Sequence, residues 1–123
     1  MYEVTIKKAF SAAHCLQDVE GPCEALHGHN FLVEVTIRGR DLDKSDLLID
    51  FRLLKKWTEE VLKDFDHKHL NELESFQNIN PSSEQLARLI FLRLEEKLRI
   101  PRARLVMVTI WESDNARVSY CHD

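Results

Sequence analysis

The stretch HNFLVEVTIRG, residues 29–39, carries the clearest structural signal in the chain. Its odd-numbered side chains from Phe31 to Ile37 are apolar, whereas the even-numbered ones are mostly polar. This period of two is typical of a strand that buries one of its faces. A shorter alternation over residues 2–10 predicts another strand before it. The chain therefore opens with two strands that can each bury an apolar face in one core.

Two helical patterns follow these strands. Asp50 is placed to cap a helix of about 15 residues, because its carboxylate can accept the free amides of the first turn. Ser82 and Gln85 have the spacing of a capping box, which predicts a second helix that stops before Pro101. Apolar stripes with helical spacing run through Leu54, Trp57, Val61 and Phe65 in the first helix and through Leu86, Ile90, Leu94 and Leu98 in the second.

Two further strands are predicted after the helices, at residues 103–112 and 116–121. The order strand, strand, helix, helix, strand, strand favours an α+β fold: a four-stranded antiparallel sheet with both helices on one face. The whole chain, residues 1–123, is expected to form a single domain. The strand at 103–112 is apolar on both faces. Since the helices can cover only one of them, we expect a second subunit to cover the other.

Composition narrows the class of function. The 123 residues include 17 Lys and Arg against 21 Asp and Glu, a net charge of −4, which argues against general binding of nucleic acid. No apolar run approaches the roughly 20 residues that cross a bilayer, so no membrane association is expected. The three cysteines follow no apolar signal segment, which predicts reduced thiols in the cytoplasm.

Histidines are placed to hold a metal ion. His27 and His29 are two apart on a strand and therefore share a face. His14 lies thirteen residues before His27, at the end of the first strand, and can supply a third nitrogen if the two strands pair. Three imidazoles with one open position are typical of catalytic zinc. The alternative is that His-Gly-His is only a polar turn at the start of a strand.

Cys23 lies four residues before His27. A thiol beside a cation has a lowered pKa and can act as a base or nucleophile. It can equally be a fourth ligand in a closed structural site, or a buried and inert side chain. The residues alone leave these three interpretations open.

Two acidic positions complete the candidate set. Asp66 directly precedes His67, and a carboxylate that orients an imidazole is a common acid–base unit, although such pairs also occur on solvated helix ends. By simple alternation Glu112 shares a face with apolar residues that include Val106. A carboxylate there needs a partner, which is either Arg117 or a ligand that donates two N–H groups.

Taken together, these motifs resemble the 6-pyruvoyltetrahydropterin synthase family. Within that family, the residues of these motifs are most similar to those of the 6-carboxytetrahydropterin synthases of queuosine biosynthesis. The resemblance covers essentially the whole chain. The motifs that carry it are FSAAH at 10–14, CEALHGHNF at 23–31, Asp50-Phe51, Asp66-His67 with Leu70-Asn71, NPSSE at 80–84 and Trp111-Glu112-Ser113.

The resemblance implies the tunnelling fold, in which sheets from several copies close into an oligomeric barrel, a hexamer or a tetramer. It also implies a Zn²⁺ cofactor, and it decides between the interpretations of Cys23 in favour of a general base. The implied roles are Zn²⁺ ligation by His14, His27 and His29, proton removal by Cys23, proton return by Asp66 and His67, and pterin binding by Glu112.

The implied activity is that of a zinc-dependent lyase acting on a small pterin triphosphate. It would convert 7,8-dihydroneopterin triphosphate to 6-carboxytetrahydropterin, releasing acetaldehyde and triphosphate. One alternative is a 6-pyruvoyltetrahydropterin synthase, which eliminates triphosphate only. A relative that forms 6-hydroxymethyldihydropterin is less favoured, because such relatives often carry Glu where this chain has Cys23. A non-enzymatic, zinc-stabilised pterin-binding module is the alternative from a different class.

Overall fold

The computed structural model describes residues 1–17 and 25–123. Two short 3₁₀ turns, Leu70–Glu72 and Glu74–Phe76, lie between the helices. The strands and helices in chain order are β1 (Tyr2–His14), β2 (His27–Gly39), α1 (Phe51–Leu62), β3 (Lys68–His69), α2 (Ser83–Lys97), β4 (Ala103–Ser113) and β5 (Ala116–Tyr120).

The strands form one sheet in the order β3-β1-β2-β4-β5. β1 and β2 pair antiparallel along their whole length, and β4 and β5 extend the sheet in the same sense. The predicted α+β fold is confirmed, but the sheet has five strands rather than four. The additional strand, Lys68–His69, pairs parallel with Ala12 and Ala13. Two residues are too few to produce an alternating pattern, so the sequence could not reveal it.

The core lies between the helices and one face of the sheet. In β2 the side chains from Phe31 to Ile37 that alternate inward are fully buried, as the sequence pattern predicts. α1 packs on β1, while α2 packs on β4 and β5. This arrangement leaves the end of β1 and the start of β2 next to the start of α2.

Both predicted helix caps are present. Asp50 Oδ1 accepts the backbone N–H of Arg52 at 2.8 Å, and Ser82 Oγ accepts that of Gln85 at 3.2 Å. α1 ends at Leu62 and is shorter than predicted, because the chain enters a series of turns there. Neither helix has the length and apolar character needed to cross a membrane.

A β-bulge changes which side chains of β4 face the core. Thr36 pairs with Met107 and Ile37 with Leu105, so Val106 is the additional residue of the bulge. Leu105 is consequently buried on the core side, together with Val108 and Ile110. The predicted alternation that placed Val106 in this row is wrong, since a bulge shifts the parity of a strand by one residue.

Candidate active site

Three histidine side chains converge where β1 ends and β2 begins. His14 and His27 are opposite each other in the β1–β2 pairing, and His29 is opposite Ala12. One ligand nitrogen from each ring lies within 4.8 Å of the other two. His14 is the fully buried member of this cluster. The predicted strand pairing therefore brings the three imidazoles to one point, where they could hold a metal ion.

Backbone carbonyls orient two of these rings. Nδ1 of His14 lies 2.7 Å from the carbonyl oxygen of Pro81, and Nδ1 of His27 lies 2.7 Å from that of Ala25. When each Nδ1–H donates to its carbonyl, both Nε2 atoms carry lone pairs. These two Nε2 atoms are only 3.0 Å apart. Two acceptors at this distance repel unless a proton or a cation lies between them, so the geometry favours a shared metal ion.

The third imidazole supports the same interpretation. Nε2 of His29 is buried and has no hydrogen-bond partner among the described residues. Burial lowers the pKa of His29; Glu112 opposes this effect, while His27 and His14 add to it. A neutral ring keeps the lone pair that a metal needs. Zn–N bonds of about 2.0–2.1 Å place ligand nitrogens about 3.3 Å apart in a tetrahedral site, close to the 3.0 Å between Nε2 of His14 and Nε2 of His27.

Glu112, near the end of β4, reaches the edge of the histidine cluster. Its Oε1 lies 3.6 Å from Nε2 of His14 and 3.8 Å from Nε2 of His29. Ser83, the first residue of α2, donates its hydroxyl to the same oxygen at 3.1 Å. The positive end of the helix dipole also favours a carboxylate at this place. Among the described contacts Glu112 has no ion pair with Arg117, so that structural explanation of the carboxylate is not supported.

Asp66 and His67 form a second unit, attached to β1 at Ser11. The backbone N–H of His67 donates to the Ser11 carbonyl at 2.6 Å, and the Ser11 N–H donates to Asp66 Oδ1 at 3.0 Å. Nδ1 of His67 lies 2.9 Å from the same carboxylate oxygen. The Ser11 N–H is the main cause of the lowered pKa of Asp66; desolvation opposes it and His67 contributes further. The ionised carboxylate therefore orients the imidazole.

Comparison with known proteins identifies the family. The family model for 6-pyruvoyl tetrahydropterin synthase matches residues 3–123. The chain belongs to this family. The chain is 30% identical over 125 residues to the 6-carboxy-5,6,7,8-tetrahydropterin synthase of Bacillus subtilis, covering 98% of this chain and 83% of that relative. It is 32% identical over 111 residues to the dihydroneopterin monophosphate aldolase of Pyrococcus furiosus, covering 90% of each.

A solved structure extends the similarity to the whole fold of this family member. The 6-pyruvoyl tetrahydropterin synthase of Caenorhabditis elegans superposes with a TM-score of 0.85 at 30% sequence identity. The match covers 100% of this chain and 98% of that one. The tunnelling fold implied by the sequence motifs is thereby confirmed for the single chain. The three relatives bear the names of three different activities, so the comparisons establish the family and leave the product to be determined.

The family fold brings together some predicted residues and separates others. The three histidines and Glu112 form one cluster in this chain. The side chain of His67 is 81% exposed; it lines the same cleft as His29 but forms no hydrogen bond or ion pair with the cluster among the described residues. Cys23 falls in residues 18–24, outside the described part of the chain. The roles of Cys23, Asp66, His67 and Glu112 thus stay predictions.

Two asparagines that residue-level reasoning did not single out hold the chain after β1. The Asn71 side chain accepts the N–H of Cys15 at 2.9 Å and donates to its carbonyl at 2.8 Å. Asn80 forms the same pair of bonds with Gln17, both at 2.8 Å. Both asparagines occur in the family motifs, but neither spacing nor periodicity indicates this function. Long-range amide-to-backbone pairs have no local sequence signal.

Proposed function

We propose that this chain is a zinc-dependent 6-carboxy-5,6,7,8-tetrahydropterin synthase that acts in queuosine biosynthesis. Its substrate is 7,8-dihydroneopterin triphosphate, and its products are 6-carboxytetrahydropterin, acetaldehyde and triphosphate. The observation that carries the proposal is the convergence of three imidazole nitrogens, two of them Nε2 atoms of rings that backbone carbonyl groups orient. The residues of the sequence motifs, including Cys23 where hydroxymethyl-forming relatives often carry Glu, support the carboxy-forming reaction over the other family activities.

The proposed metal ligands are His14, His27 and His29. When bound there, Zn²⁺ supplies a Lewis acid that lowers the pKa of the substrate hydroxyls and stabilises negative charge on the side chain. The carbonyls of Pro81 and Ala25 keep the first two rings in the tautomer that a metal requires. No other His, Cys, Asp or Glu of the described residues joins this group, which supports a position left for substrate.

Glu112 is the proposed anchor of the pterin ring. A carboxylate can accept two hydrogen bonds from the ring amino group and the adjacent ring N–H, which fixes the orientation of the substrate. The hydroxyl of Ser83 restrains the carboxylate by donating a hydrogen bond to its Oε1. Since Glu112 Oε1 lies within 3.8 Å of His14 and His29, a ring bound here would place its side chain against the metal ligands.

The proposed proton transfers use Cys23 and the Asp66–His67 pair. Cys23 as a thiolate removes a proton from the side chain, and His67, held by Asp66, returns one to another carbon. Triphosphate leaves by elimination, which leaves a dicarbonyl side chain after proton transfer. Water then adds to the carbonyl carbon next to the ring, the bond between the two carbonyl carbons breaks, the ring keeps the carboxylate and the other two carbons depart as acetaldehyde. No redox cofactor is needed for this sequence.

The active form is proposed to be a homo-oligomer, a hexamer or a tetramer. The support is that the exposed side chain of His67 forms no hydrogen bond or ion pair with the histidine cluster among the described residues of its own chain, so a second copy can complete the site. Light scattering should give a mass that is a multiple of the 14.4 kDa chain. A monomeric mass with full activity would contradict this part of the proposal.

Product analysis by mass spectrometry tests the proposed reaction. Zinc-loaded protein incubated with 7,8-dihydroneopterin triphosphate should yield 6-carboxytetrahydropterin together with one acetaldehyde and one triphosphate. A pyruvoyl product would assign the chain to the reaction of the pyruvoyl synthases, and a hydroxymethyl product to the aldolase reaction. Absence of any turnover would refute the enzyme proposal.

A cysteine pair provides the control for catalysis. Cys23→Ala should keep bound zinc and lose turnover by at least about 100-fold, as expected for loss of a general base. Cys121→Ala is the matched variant, because this exposed thiol near the chain end should be dispensable. Full activity of Cys23→Ala would instead favour a binding module or a different base.

A further inference from the structure

A cleft of about 500 Å³ lies beside β3, at the edge of the sheet. Its polar lining comes from Ser11, Asn30, His67, Lys68 and His69, together with His29 of the histidine cluster. None of the described residues that line it is Asp or Glu. A bound anion therefore meets hydroxyl, amide, imidazole and ammonium groups there, and no lining carboxylate repels it.

His69 contributes an imidazole nitrogen that lacks a protein partner. Its Nε2 is buried without a hydrogen bond to any described residue. Its Nδ1 lies 3.3 Å from Oε1 of Glu72, a carboxylate that can orient the ring. A buried polar atom without a partner is costly. A ligand oxygen in the cleft that accepts a hydrogen bond from Nε2–H would satisfy this nitrogen.

The other polar groups of the cleft are also donors. The Ser11 hydroxyl donates to Oδ1 of Asn30 at 2.6 Å. The amide N–H groups of Asn30 form no hydrogen bond with a described residue and can donate to a ligand. The Lys68 ammonium is exposed and forms no ion pair with a described residue. Amide, ammonium and imidazole N–H donors at one place match the oxygen atoms of a polyphosphate.

We propose that this cleft binds the triphosphate of the substrate, with Lys68 and His69 as its principal contacts. The inference rests on the proposed function, in which His67 transfers a proton to the substrate side chain. The triphosphate ester is attached to that same side chain, and His67 lines the same cleft as Lys68 and His69. Glu112, the proposed ring anchor, does not line it, so ring and triphosphate occupy different places.

Inorganic triphosphate is the direct probe. Calorimetry on zinc-loaded protein, with excess Mg²⁺ to limit chelation and zinc content checked afterwards, measures its Kd without any turnover. Lys68→Ala and His69→Asn should each weaken binding about tenfold, the loss expected for one hydrogen bond to a charged group. Lys56→Ala and His122→Asn remove the same side-chain types away from the cleft and should bind as the wild type does.

Kinetics and an unphosphorylated ligand separate phosphate binding from a structural effect. Both cleft variants should raise KM for 7,8-dihydroneopterin triphosphate about tenfold, with kcat within about twofold. Binding of 7,8-dihydroneopterin, which lacks the triphosphate, should be unchanged. Equal losses for the two pterins would overturn the inference, because they would indicate distortion of the site rather than lost phosphate contacts.

The two proposals fail in different ways. If wild-type protein turns over the substrate and both cleft variants match their controls in KM and in triphosphate Kd, the cleft is not the triphosphate site. If triphosphate binding falls in the variants but wild-type protein has no activity on the pterin, the proposed function fails. The cleft would then still be an anion site.

Discussion

A single carboxylate holds the turn that carries His67. Asp66 accepts the N–H of Ser11 and also contacts the imidazole of His67. His67 itself has a φ of 59°, a left-handed conformation that is rare for a residue with a side chain. Because the backbone of His67 also bonds to Ser11 at 2.6 Å, these contacts together fix a strained residue.

The lowered pKa of Asp66 predicts how stability depends on pH. Its carboxylate stabilises the folded chain fully above the ordinary pKa of 3.8, and this contribution is lost as pH falls through the lower folded value. At pH 7, metal-free Asp66→Asn should unfold at a lower urea concentration than wild-type protein. The difference should shrink below about pH 4.

The exposed turn residue Asp114 supplies the comparison for that prediction. Asp114→Asn should have a urea midpoint close to that of wild-type protein at each pH. A gap between wild-type and Asp66→Asn protein that stays constant from pH 7 to pH 3 would contradict the assigned cause of the shift.

At the scale of elements, the segment after β1 is held by asparagine side chains rather than by a neighbouring strand. Asn71 lies in the 3₁₀ turn after β3 and forms two hydrogen bonds with the backbone of Cys15. Asn80 precedes α2 and forms two with the backbone of Gln17. These amides replace the ladder that β1 loses beyond His14. They tie the end of β1 to the connection between the two helices.

Removal of one amide should therefore loosen the metal site. Asn71→Ala leaves the N–H and carbonyl of Cys15 without their partners, which should cost about 1–3 kcal/mol in the free energy of unfolding. His14, a proposed zinc ligand, directly precedes Cys15. Zinc affinity should therefore also fall. Urea denaturation and a competitive zinc chelator measure the two effects.

Asn115→Ala, in the exposed turn between β4 and β5, is the matched asparagine variant. It should leave both the free energy of unfolding and zinc affinity near their wild-type values. Unchanged zinc affinity in Asn71→Ala would show that β1 positions His14 without the help of this amide.

At the scale of the whole molecule, the candidate metal centre joins segments that are distant in sequence. The ligands come from β1 and β2, and the carbonyl that orients His14 belongs to Pro81, just before α2. Glu112 brings the end of β4 to the same place. A metal bound by the folded chain should thus stabilise the sheet and its helical layer together.

Metal removal should lower the thermal stability of the protein. At free zinc of 100 times Kd, the bound ion contributes about 2.7 kcal/mol. For a chain of this size, this corresponds to a Tm shift of about 10 °C. Calorimetry before and after dialysis against a chelator measures the shift. His29→Ala should melt at the same temperature with and without zinc, and an equal zinc-dependent shift in that variant would argue for a different site.

Local patterns determined most of the fold. Alternation over residues 29–39 places β2, and the side chains of Asp50 and Ser82 cap the two helices. These features can be predicted from the sequence because caps and alternation depend on residues within a few positions of one another. The pair at His27 and His29 can be predicted for the same reason, since a strand puts both rings on one face.

Tertiary structure decided what depends on contacts between distant residues. The bulge at Val106 arises from pairing with β2, and β3 exists only because Lys68 and His69 meet β1. The same holds for the carbonyl of Pro81, which sets the tautomer of His14 across 67 positions. Residue types and spacing therefore determined which groups could form the site. The packing of sheet on helices decided their orientation, their burial and which nitrogens face the candidate metal site, because these properties depend on neighbours that only the fold supplies.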